Sequence, residues 1–220
     1  MNLKNTENTA VLGIFLAFTG LTAALLLAIC AKQTAEPIAH AAAIEANKSL
    51  VSVMPPFKSY KSETFENIRF TAVFDPENKL VGIAGETSVK GYGGEIKTLT
   101  GMNPDGSIRS VIVLENNETP GLGSNVCVRK EIKTLKSVFC GGKKSANSLP
   151  PNKILDYYSG KSLDKNANAW QITKDGGNCP YITGATVSSR AICKAVYHVV
   201  STYVNNREKI SSKFTVTEGK

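Results

Sequence analysis

The most regular pattern in the chain is an apolar stretch close to its amino terminus. No charged residue occurs between Asn8 and Ala31, and residues 11–29 are apolar on every helical face. A helix that is apolar all round requires lipid or a deep core, and about 20 such residues cross the hydrocarbon layer of a membrane. The pattern predicts a transmembrane helix at residues 10–31, after a short tail at residues 1–9.

Two other interpretations of this stretch stay open. A cleaved signal peptide has a shorter apolar region of about 7 to 15 residues, and the A-x-A-like sequence at residues 39–41 lies well beyond the apolar run. A lipoprotein signal would be cut before Cys30, where Ile29 occupies a position that requires a small residue. Lys4 and Lys32 flank the span on its two sides, so the positive-inside rule does not orient it.

The pattern changes twice after the apolar stretch. Residues 32–55 contain strong helix formers after Pro37, which predicts a helical stalk. Two consecutive prolines, Pro55 and Pro56, end that pattern. Everything functional is therefore expected to lie after residue 32, with one domain at residues 56–215.

Within this domain the pattern alternates between strand-like and helix-like segments. Runs of β-branched and aromatic residues predict strands, turn-forming residues between them predict two hairpins, and a 3.6-residue period predicts helices. The predicted fold class is α+β, with a single N-terminal transmembrane helix followed by one mixed α+β domain. The predicted strands are 70–74, 80–84 and 108–114, the turns 75–78 and 103–106, and the helices 152–158 and 188–203.

Composition excludes some classes of function. The 220 residues carry a formal charge of +8, but the basic residues are scattered, and no zinc-finger spacing or helix-turn-helix pattern accompanies them. We therefore expect no nucleic-acid partner. The five cysteines contain no C-x-x-C pair and the two histidines are far apart, so we expect no metal site. A disulfide between Cys127 and Cys140 and free buried thiols both remain possible from spacing alone.

Two glycine-containing segments are candidate ligand sites. Residues 91–94, Gly-Tyr-Gly-Gly, allow either a close backbone approach to a ligand or a plain turn or bulge. Residues 115–124 follow the strongest predicted strand with an acidic residue, a proline and two glycines, which is typical of a rigid loop that offers backbone amides. A dinucleotide fingerprint is excluded, because Val126 stands where the third glycine is required.

A third candidate precedes the last predicted helix. Residues 181–189 contain small hydroxyl residues and a glycine just before the helix. The free amides at the helix start and the positive end of the helix dipole could bind a phosphate there. An ordinary helix start with Ser188 or Thr186 as the capping residue explains the same residues.

The residues of these segments resemble a known family. Residues 183–188, Thr-Gly-Ala-Thr-Val-Ser, are similar to the S/T-G-A-T-x-S/T flavinylation motif of FMN-binding domains, and residues 118–123, Glu-Thr-Pro-Gly-Leu-Gly, to the second signature of those domains. With the apolar helix, Trp170 and the Lys-Asp-Gly-Gly at residues 174–177, nearly the whole chain resembles the G subunit of the Rnf electron-transport complex. The C subunit of the sodium-translocating NADH:quinone oxidoreductase, which is typically longer, is the related alternative.

The resemblance implies a covalent flavin. Thr186 would be esterified to the FMN phosphate, which makes the chain a phosphoprotein, and a separate flavin transferase would install the group from FAD. FMN is the expected cofactor. Residues of the three segments would surround it, and Lys174 would neutralise the phosphate or the reduced flavin, or remain solvated. The implied cofactor-binding residues are Gly91, Tyr92, Glu118, Thr119, Leu122, Gly123, Lys174, Thr183, Gly184 and Ala185.

The resemblance also implies a location and a role. The chain would be a single-pass protein of the bacterial inner membrane, in contact with lipid and with its domain on the periplasmic or extracellular side. Its partners would be other membrane subunits of an ion-translocating ferredoxin:NAD oxidoreductase. The chain would then act as a redox carrier rather than as a self-contained enzyme. An anchored structural or assembly protein without flavin is the alternative from a different class.

Overall fold

The computed structural model describes residues 3–129, 149–164 and 167–215, and the chain divides into two compact units, Met1–Asn47 and Lys48–Lys220. Cys140 lies outside the described residues, so the possible pair with Cys127 lies outside them as well. Cys127 itself is a buried free thiol.

The first element is one long helix, α1, at Leu3–Val53, which continues through Pro37. Within the described part of the chain, one helix is long and apolar enough to cross a membrane, at Val11–Ile38, and none of its most apolar window is buried against protein. This candidate span extends further toward the carboxyl end than the residues 10–31 predicted from the sequence. The helix ends immediately before Met54, where the two prolines follow.

The second unit is built on an antiparallel sheet whose strands lie side by side in chain order. The three predicted strands and both predicted hairpins are confirmed. Asp75 explains the first hairpin, because its Oδ1 accepts hydrogen bonds from the Glu77 and Lys79 amides at 2.9 and 2.8 Å. The described strands are β1 Ser59–Phe65, β2 Ile68–Phe74, β3 Leu80–Lys90, β4 Glu95–Met102 and β5 Ile108–Asn116.

Two strands, β1 and β4, were not predicted. The strand β1, with the sequence SYKSETF, lies at an edge of the sheet and exposes six of its seven residues, so it has no buried apolar alternation. The strand β4, EIKTLTGM, buries two threonines and a glycine among its apolar residues. Both sequences lack the run of β-branched and aromatic residues that identifies a strand locally.

One face of the sheet supports the main helix, α4, at Thr186–Asn205, which packs on β3 and β4. The helix begins two residues before the predicted start and ends two residues after the predicted end. Gly85 of β3 allows the close packing, because a Cβ at this position would overlap the Val199 side chain. Apolar side chains from both elements form the main core, including Ile68, Phe70, Ile83, Ile192, Val196, Val199 and Tyr203.

The remaining elements are short. Helix α2 at Ser124–Cys127 follows the loop after β5, and helix α3 at Lys153–Asp156 covers part of the predicted helix 152–158. Two 3₁₀ turns, at Ala167–Trp170 and Thr173–Asp175, precede α4, and helix α5 at Arg207–Thr215 follows it. On the opposite face of the sheet, a smaller cluster contains Leu50, Val53, Met54, Val73, Ala84 and Leu99.

Candidate functional site

The three segments singled out in the sequence meet in the folded domain. Residues 91–94 form the turn between β3 and β4, closed by a 2.8 Å hydrogen bond from the Gly91 amide to the Gly94 carbonyl. The Glu-Thr-Pro-Gly-Leu-Gly loop follows β5, and the third segment leads into α4. All three contact one carboxylate, that of Glu118.

The Glu118 side chain is 6% exposed and accepts hydrogen bonds from two of the three segments. Its Oε1 accepts from the Tyr92 amide at 2.8 Å and from the Gly93 amide at 3.3 Å. Its Oε2 accepts from the Ser188 hydroxyl at 2.7 Å. We call Glu118 and these three donors, on Tyr92, Gly93 and Ser188, the Glu118 junction.

Two glycines make the Glu118 junction possible. A Cβ on Gly91 would overlap Glu118 Oε1, and a Cβ on Gly123 would overlap Glu118 Oε2. The carboxylate therefore lies between two backbone segments that can approach it because they carry no side chain at these points. The glycines of both sequence segments thus have a packing role toward Glu118.

Thr186 is the first residue of α4, and the helix has no side-chain cap. Ala185 occupies the N-cap position, so the interpretation of Thr186 or Ser188 as the cap is wrong. Ser188 donates to Glu118 instead, and the Ser189 hydroxyl donates to the Ala185 carbonyl at 2.9 Å. The first amides of a helix lack intrahelical acceptors and carry partial positive charge. This end of α4 can therefore accept an anionic group.

The residues before Thr186 shape the approach to it. Thr183 and Gly184 are exposed, Ala185 is buried, and Thr186 is half-buried. Gly184 has a φ of +84°, a conformation that favours glycine, and a Cβ at this position would lie 3.3 Å from Leu122 Cδ2. The flavinylation-like segment therefore lies against the loop that follows β5.

An exposed apolar rim lies on the same three segments. Tyr92 is 74% exposed, Leu122 48% and Val187 45%. Thr119 is also exposed, and its carbonyl accepts hydrogen bonds from the Leu122 and Ser124 amides, both at 3.2 Å. Aromatic and aliphatic side chains with a few polar groups are the usual lining of a cofactor site.

Lys174 lies on the second 3₁₀ turn, is exposed, and is one of the charges that lower the pKa of its neighbour Asp175. The main cause of the lowered Asp175 pKa is a bidentate hydrogen bond from Arg190, whose Nε and Nη2 each donate to the carboxylate at 2.7 Å. Arg190 was not among the predicted site residues. Its position four residues after Thr186, on the same helical face, is the sequence signal that could have identified it.

Cys179, which precedes the motif, belongs to the core. It is fully buried, and its sulfur lies 3.0 Å from the Tyr158 hydroxyl oxygen. A hydrogen bond with the Cys193 thiol, together with burial, raises the pKa of Cys179 well above its usual range. Among the described residues there is no cluster of three or more His, Cys, Asp or Glu side chains suited to a metal ion.

The domain is an antiparallel sheet covered by one long helix, and the start of that helix lies beside an apolar rim and two glycine-containing loops. The FMN-binding domain family matches residues 91–201, which include the turn at 91–94, the Glu118 loop and the start of α4. The chain belongs to this family. The family resemblance expected from the two sequence motifs is thereby confirmed.

Individual relatives define the similarity further. A protein of Vibrio parahaemolyticus, named as the G subunit of an ion-translocating oxidoreductase complex, is 36% identical over 124 residues, which cover 56% of this chain and 49% of that protein. A protein of the same name from Cereibacter sphaeroides is 26% identical over 211 residues, covering 91% of this chain and 86% of that protein. The chain spans about half the length of the Vibrio relatives it matches.

Among solved structures, NqrC of Shewanella oneidensis is similar to this chain with a TM-score of 0.37 and 18% identity, over 66% of this chain and 64% of that one.

Proposed function

We propose that this chain is a membrane-anchored electron-transfer subunit that carries FMN covalently, through a phosphoester to Thr186. The observation that supports it most strongly is the family match over residues 91–201, in which Thr186 is the first residue of an uncapped helix. A phosphate at that position would receive hydrogen bonds from helix-terminal amides and favourable interaction with the helix dipole. The ester would fix the cofactor without occupying its redox-active ring.

The described residues fit a flavin in three respects. The helix start offers amide donors to the phosphate, because the N-cap residue, Ala185, makes no side-chain hydrogen bond to them. Tyr92 and Leu122 present apolar surface on the two loops that meet at Glu118. Lys174, which lies in the 3₁₀ turn beside the Asp175–Arg190 ion pair, contributes an exposed positive charge.

In this proposal each residue has a distinct role. Thr186 provides the hydroxyl that becomes the ester oxygen, and Thr183, Gly184 and Ala185 set the chain direction before it. Tyr92, Thr119 and Leu122 would contact the ring and the sugar chain, the buried Gly91 and Gly123 would support them from the side of Glu118, and Lys174 would balance negative charge. When bound, FMN supplies reversible electron transfer through its isoalloxazine ring.

The attachment step follows from the chemistry of the hydroxyl. Thr186 Oγ1 forms a bond to the FMN-side phosphorus of FAD while the bond between that phosphorus and the bridging oxygen breaks. AMP leaves with the bridging oxygen, and the hydroxyl proton passes to a base on the flavin transferase. Thr186 is half-buried, and the two residues at positions 183 and 184 before it are exposed, so this segment lies at the surface, where a second protein can bind.

The partners in this proposal are the other members of a multi-subunit complex. The relatives described above are, by name, components of an ion-translocating oxidoreductase complex. The candidate span at Val11–Ile38 supports a single-pass anchor in the inner membrane. We assign residues 1–9 to a cytoplasmic tail, 10–31 to the span, 32–55 to the stalk and 56–215 to a flavin domain on the periplasmic side.

A fusion of alkaline phosphatase to the carboxyl terminus tests on which side of the membrane the domain lies. The enzyme is active only after export, so an active fusion is expected, and an inactive fusion would contradict the periplasmic location.

The covalent link is tested by coexpression of the full chain with a flavin transferase. The wild type should give a fluorescent band after denaturing electrophoresis, and peptide 181–190 should carry the mass of an FMN ester. Thr186→Val should abolish both signals, because it removes the nucleophilic oxygen and keeps the side-chain shape. Thr173→Val, which changes an exposed threonine outside the motif, is the matched control and should remain fluorescent.

A Thr186→Val chain that retains a denaturation-resistant flavin would contradict the assignment. If instead the wild type carries no flavin in its own membranes, the chain is an anchored protein of a different function.

A further inference from the structure

We propose that Glu118 is a positioning residue, whose carboxylate holds the first turn of α4, and with it the Thr186 hydroxyl, in the orientation required for flavin attachment. This inference rests on the proposed function of Thr186. The family resemblance implied that Glu118 lines the flavin. In the present proposal the carboxylate instead accepts hydrogen bonds from three donors of the protein itself.

The hydrogen-bonding capacity of the carboxylate supports this assignment. Oε1 accepts hydrogen bonds from the backbone amides of Tyr92 and Gly93, and Oε2 accepts one from the Ser188 hydroxyl. The side chain is 6% exposed, and the backbones of Gly91 and Gly123 lie against the two oxygens. Three of the roughly four acceptor positions of the carboxylate are therefore used within the protein. A ligand that replaced one of these donors would have to break a hydrogen bond to a carboxylate, which is stronger than one between neutral groups.

The link from Glu118 to Thr186 passes through Ser188. Ser188 is two residues after Thr186 in the first helical turn, and it is 1% exposed. The N-cap residue, Ala185, makes no side-chain capping bond, and the bond from Ser188 to Glu118 fixes this turn to the loop after β5. The amides of Tyr92 and Gly93 fix the same carboxylate to the turn between β3 and β4. The Thr186 hydroxyl is thereby placed relative to the two loops that would receive the flavin ring.

The carboxylate also provides a charge that the helix start favours. A negative group near the first turn interacts favourably with the helix dipole, and here it does so without occupying the cap position. The uncapped amides at the end of the helix remain available to a phosphate. Glu118 can therefore stabilise the turn while leaving the anion-binding end of the helix free.

Glutamine at position 118 is the sharpest substitution, because it keeps the size of the side chain and removes one acceptor. A carboxamide has one oxygen and one NH₂ group, so it cannot accept from the backbone amides and from Ser188 at the same time. The backbone amides of Tyr92 and Gly93 can only donate, so the carboxamide oxygen must face them if their bonds are kept, and the NH₂ group then faces Ser188. The bond that Ser188 donates to Oε2 is then lost or reversed in direction. The sheet and the main core do not depend on this contact, so the chain should remain folded.

The experiment compares Glu118→Gln, Ser188→Ala and the double variant with Glu115→Gln. Glu115 lies near the same end of β5 and is exposed, with a 3.8 Å ion pair to Lys97, and it serves as the matched control. The full chain in detergent is flavinylated by the transferase at saturating FAD, and initial rates are divided by the folded fraction. Hydrogen exchange of peptide 181–192 is measured on the unflavinylated chains.

We expect Glu118→Gln to reduce the initial rate by about tenfold to 100-fold, because displacement of a nucleophile by about 1 Å has an effect of this size. Ser188→Ala should produce a smaller loss, and the double variant should be no slower than Glu118→Gln, since both changes remove the same contact. Hydrogen exchange of the first turn should be faster in Glu118→Gln. The flavin that is attached should have a wild-type absorbance spectrum and midpoint potential.

Several outcomes would overturn the proposal. A wild-type rate in Glu118→Gln, or multiplicative effects in the double variant, would show that Glu118 and Ser188 do not act through one contact. A shifted flavin spectrum or potential at an unchanged rate would make Glu118 a flavin contact. If the wild type accepts no flavin, the proposed function fails, and unchanged hydrogen exchange in Glu118→Gln would separately overturn the positioning role.

Discussion

Helix α4 contains two regions that the fold holds by different means. In its second half, Val196, Val199, Val200 and Tyr203 are fully buried against the sheet. In its first turn, Thr186 is half-buried and Val187 is 45% exposed, while Ser188 donates to Glu118. Apolar packing therefore fixes the second half, and hydrogen bonds at the Glu118 junction fix the first turn.

The difference indicates how the helix combines stability with a precise site. Apolar burial is strong but not directional, so it fixes the helix on the sheet without determining the orientation of one hydroxyl. Hydrogen bonds are directional, and they contribute less net free energy each. Substitutions in the second half should therefore act on stability, and substitutions in the first turn should act on flavin attachment.

The largest expected effect is on stability, from Tyr203→Ala. Tyr203 is fully buried, its ring centroid lies 6.3 Å from that of Phe70, and its hydroxyl donates to the Pro104 carbonyl at 3.0 Å. Removal of a large buried ring should lower the free energy of unfolding by about 3–5 kcal/mol, measured by urea unfolding in detergent. Tyr203→Phe, which removes the hydroxyl alone, should cost about 1 kcal/mol. If the two variants lowered the free energy of unfolding equally, packing would not be the dominant contribution in the second half of α4.

An intermediate effect is expected from Gly123→Ala, which acts on the first-turn region. The added Cβ would overlap Glu118 Oε2 and lie 2.8 Å from the Ser188 hydroxyl oxygen. We expect the free energy of unfolding to fall by about 1–3 kcal/mol, as for other overpacked sites, together with slower flavinylation. In a Glu118→Ala background the same change should cost less, because the oxygen that it meets is absent. An equal cost in both backgrounds would show that the strain arises elsewhere.

A smaller effect is expected on the pH dependence of stability, through the thiol of Cys127 in helix α2 beside the Glu118 loop. Burial, with a smaller contribution from the Glu118 charge, raises the pKa of the Cys127 thiol from 9.0 to about 12. Because the folded pKa is above the unfolded value, this stability is fully present below pH 9 and is lost as the pH rises toward 12.

At a pH of about 10 the loss should be about 1 kcal/mol. The measurement is the free energy of unfolding between about pH 8 and about pH 10.5, compared with Cys127→Ala, whose curve should be flatter. Glu118→Gln should bring the pKa of Cys127 closer to its usual value, because it removes the neighbouring negative charge. Parallel pH curves for the wild type and Cys127→Ala would exclude the thiol as the cause.

Prediction from sequence succeeded where the pattern is local. The α+β class, the candidate span, both hairpins and the main helix follow from runs of apolar residues and from turn residues such as Asp75. It failed for β1 because an exposed edge strand can be polar throughout. The prediction of a capping residue failed because the Ser188 hydroxyl donates a hydrogen bond to the Glu118 carboxylate, which is distant in sequence, instead of accepting one from the amides of its own helix.

Local sequence patterns identify the parts of the site: a serine near the start of a helix, an acidic residue in a glycine-containing loop, and a glycine turn between two strands. Only folding brings these three parts into contact, through the carboxylate of Glu118. Ser188 lies 70 positions from Glu118 and Tyr92 lies 26 positions from it. Local periodicity relates residues that are a few positions apart in the chain. A buried carboxylate has no water to bind, so its hydrogen-bond donors must come from the protein, and the packing of distant elements determines which donors reach it.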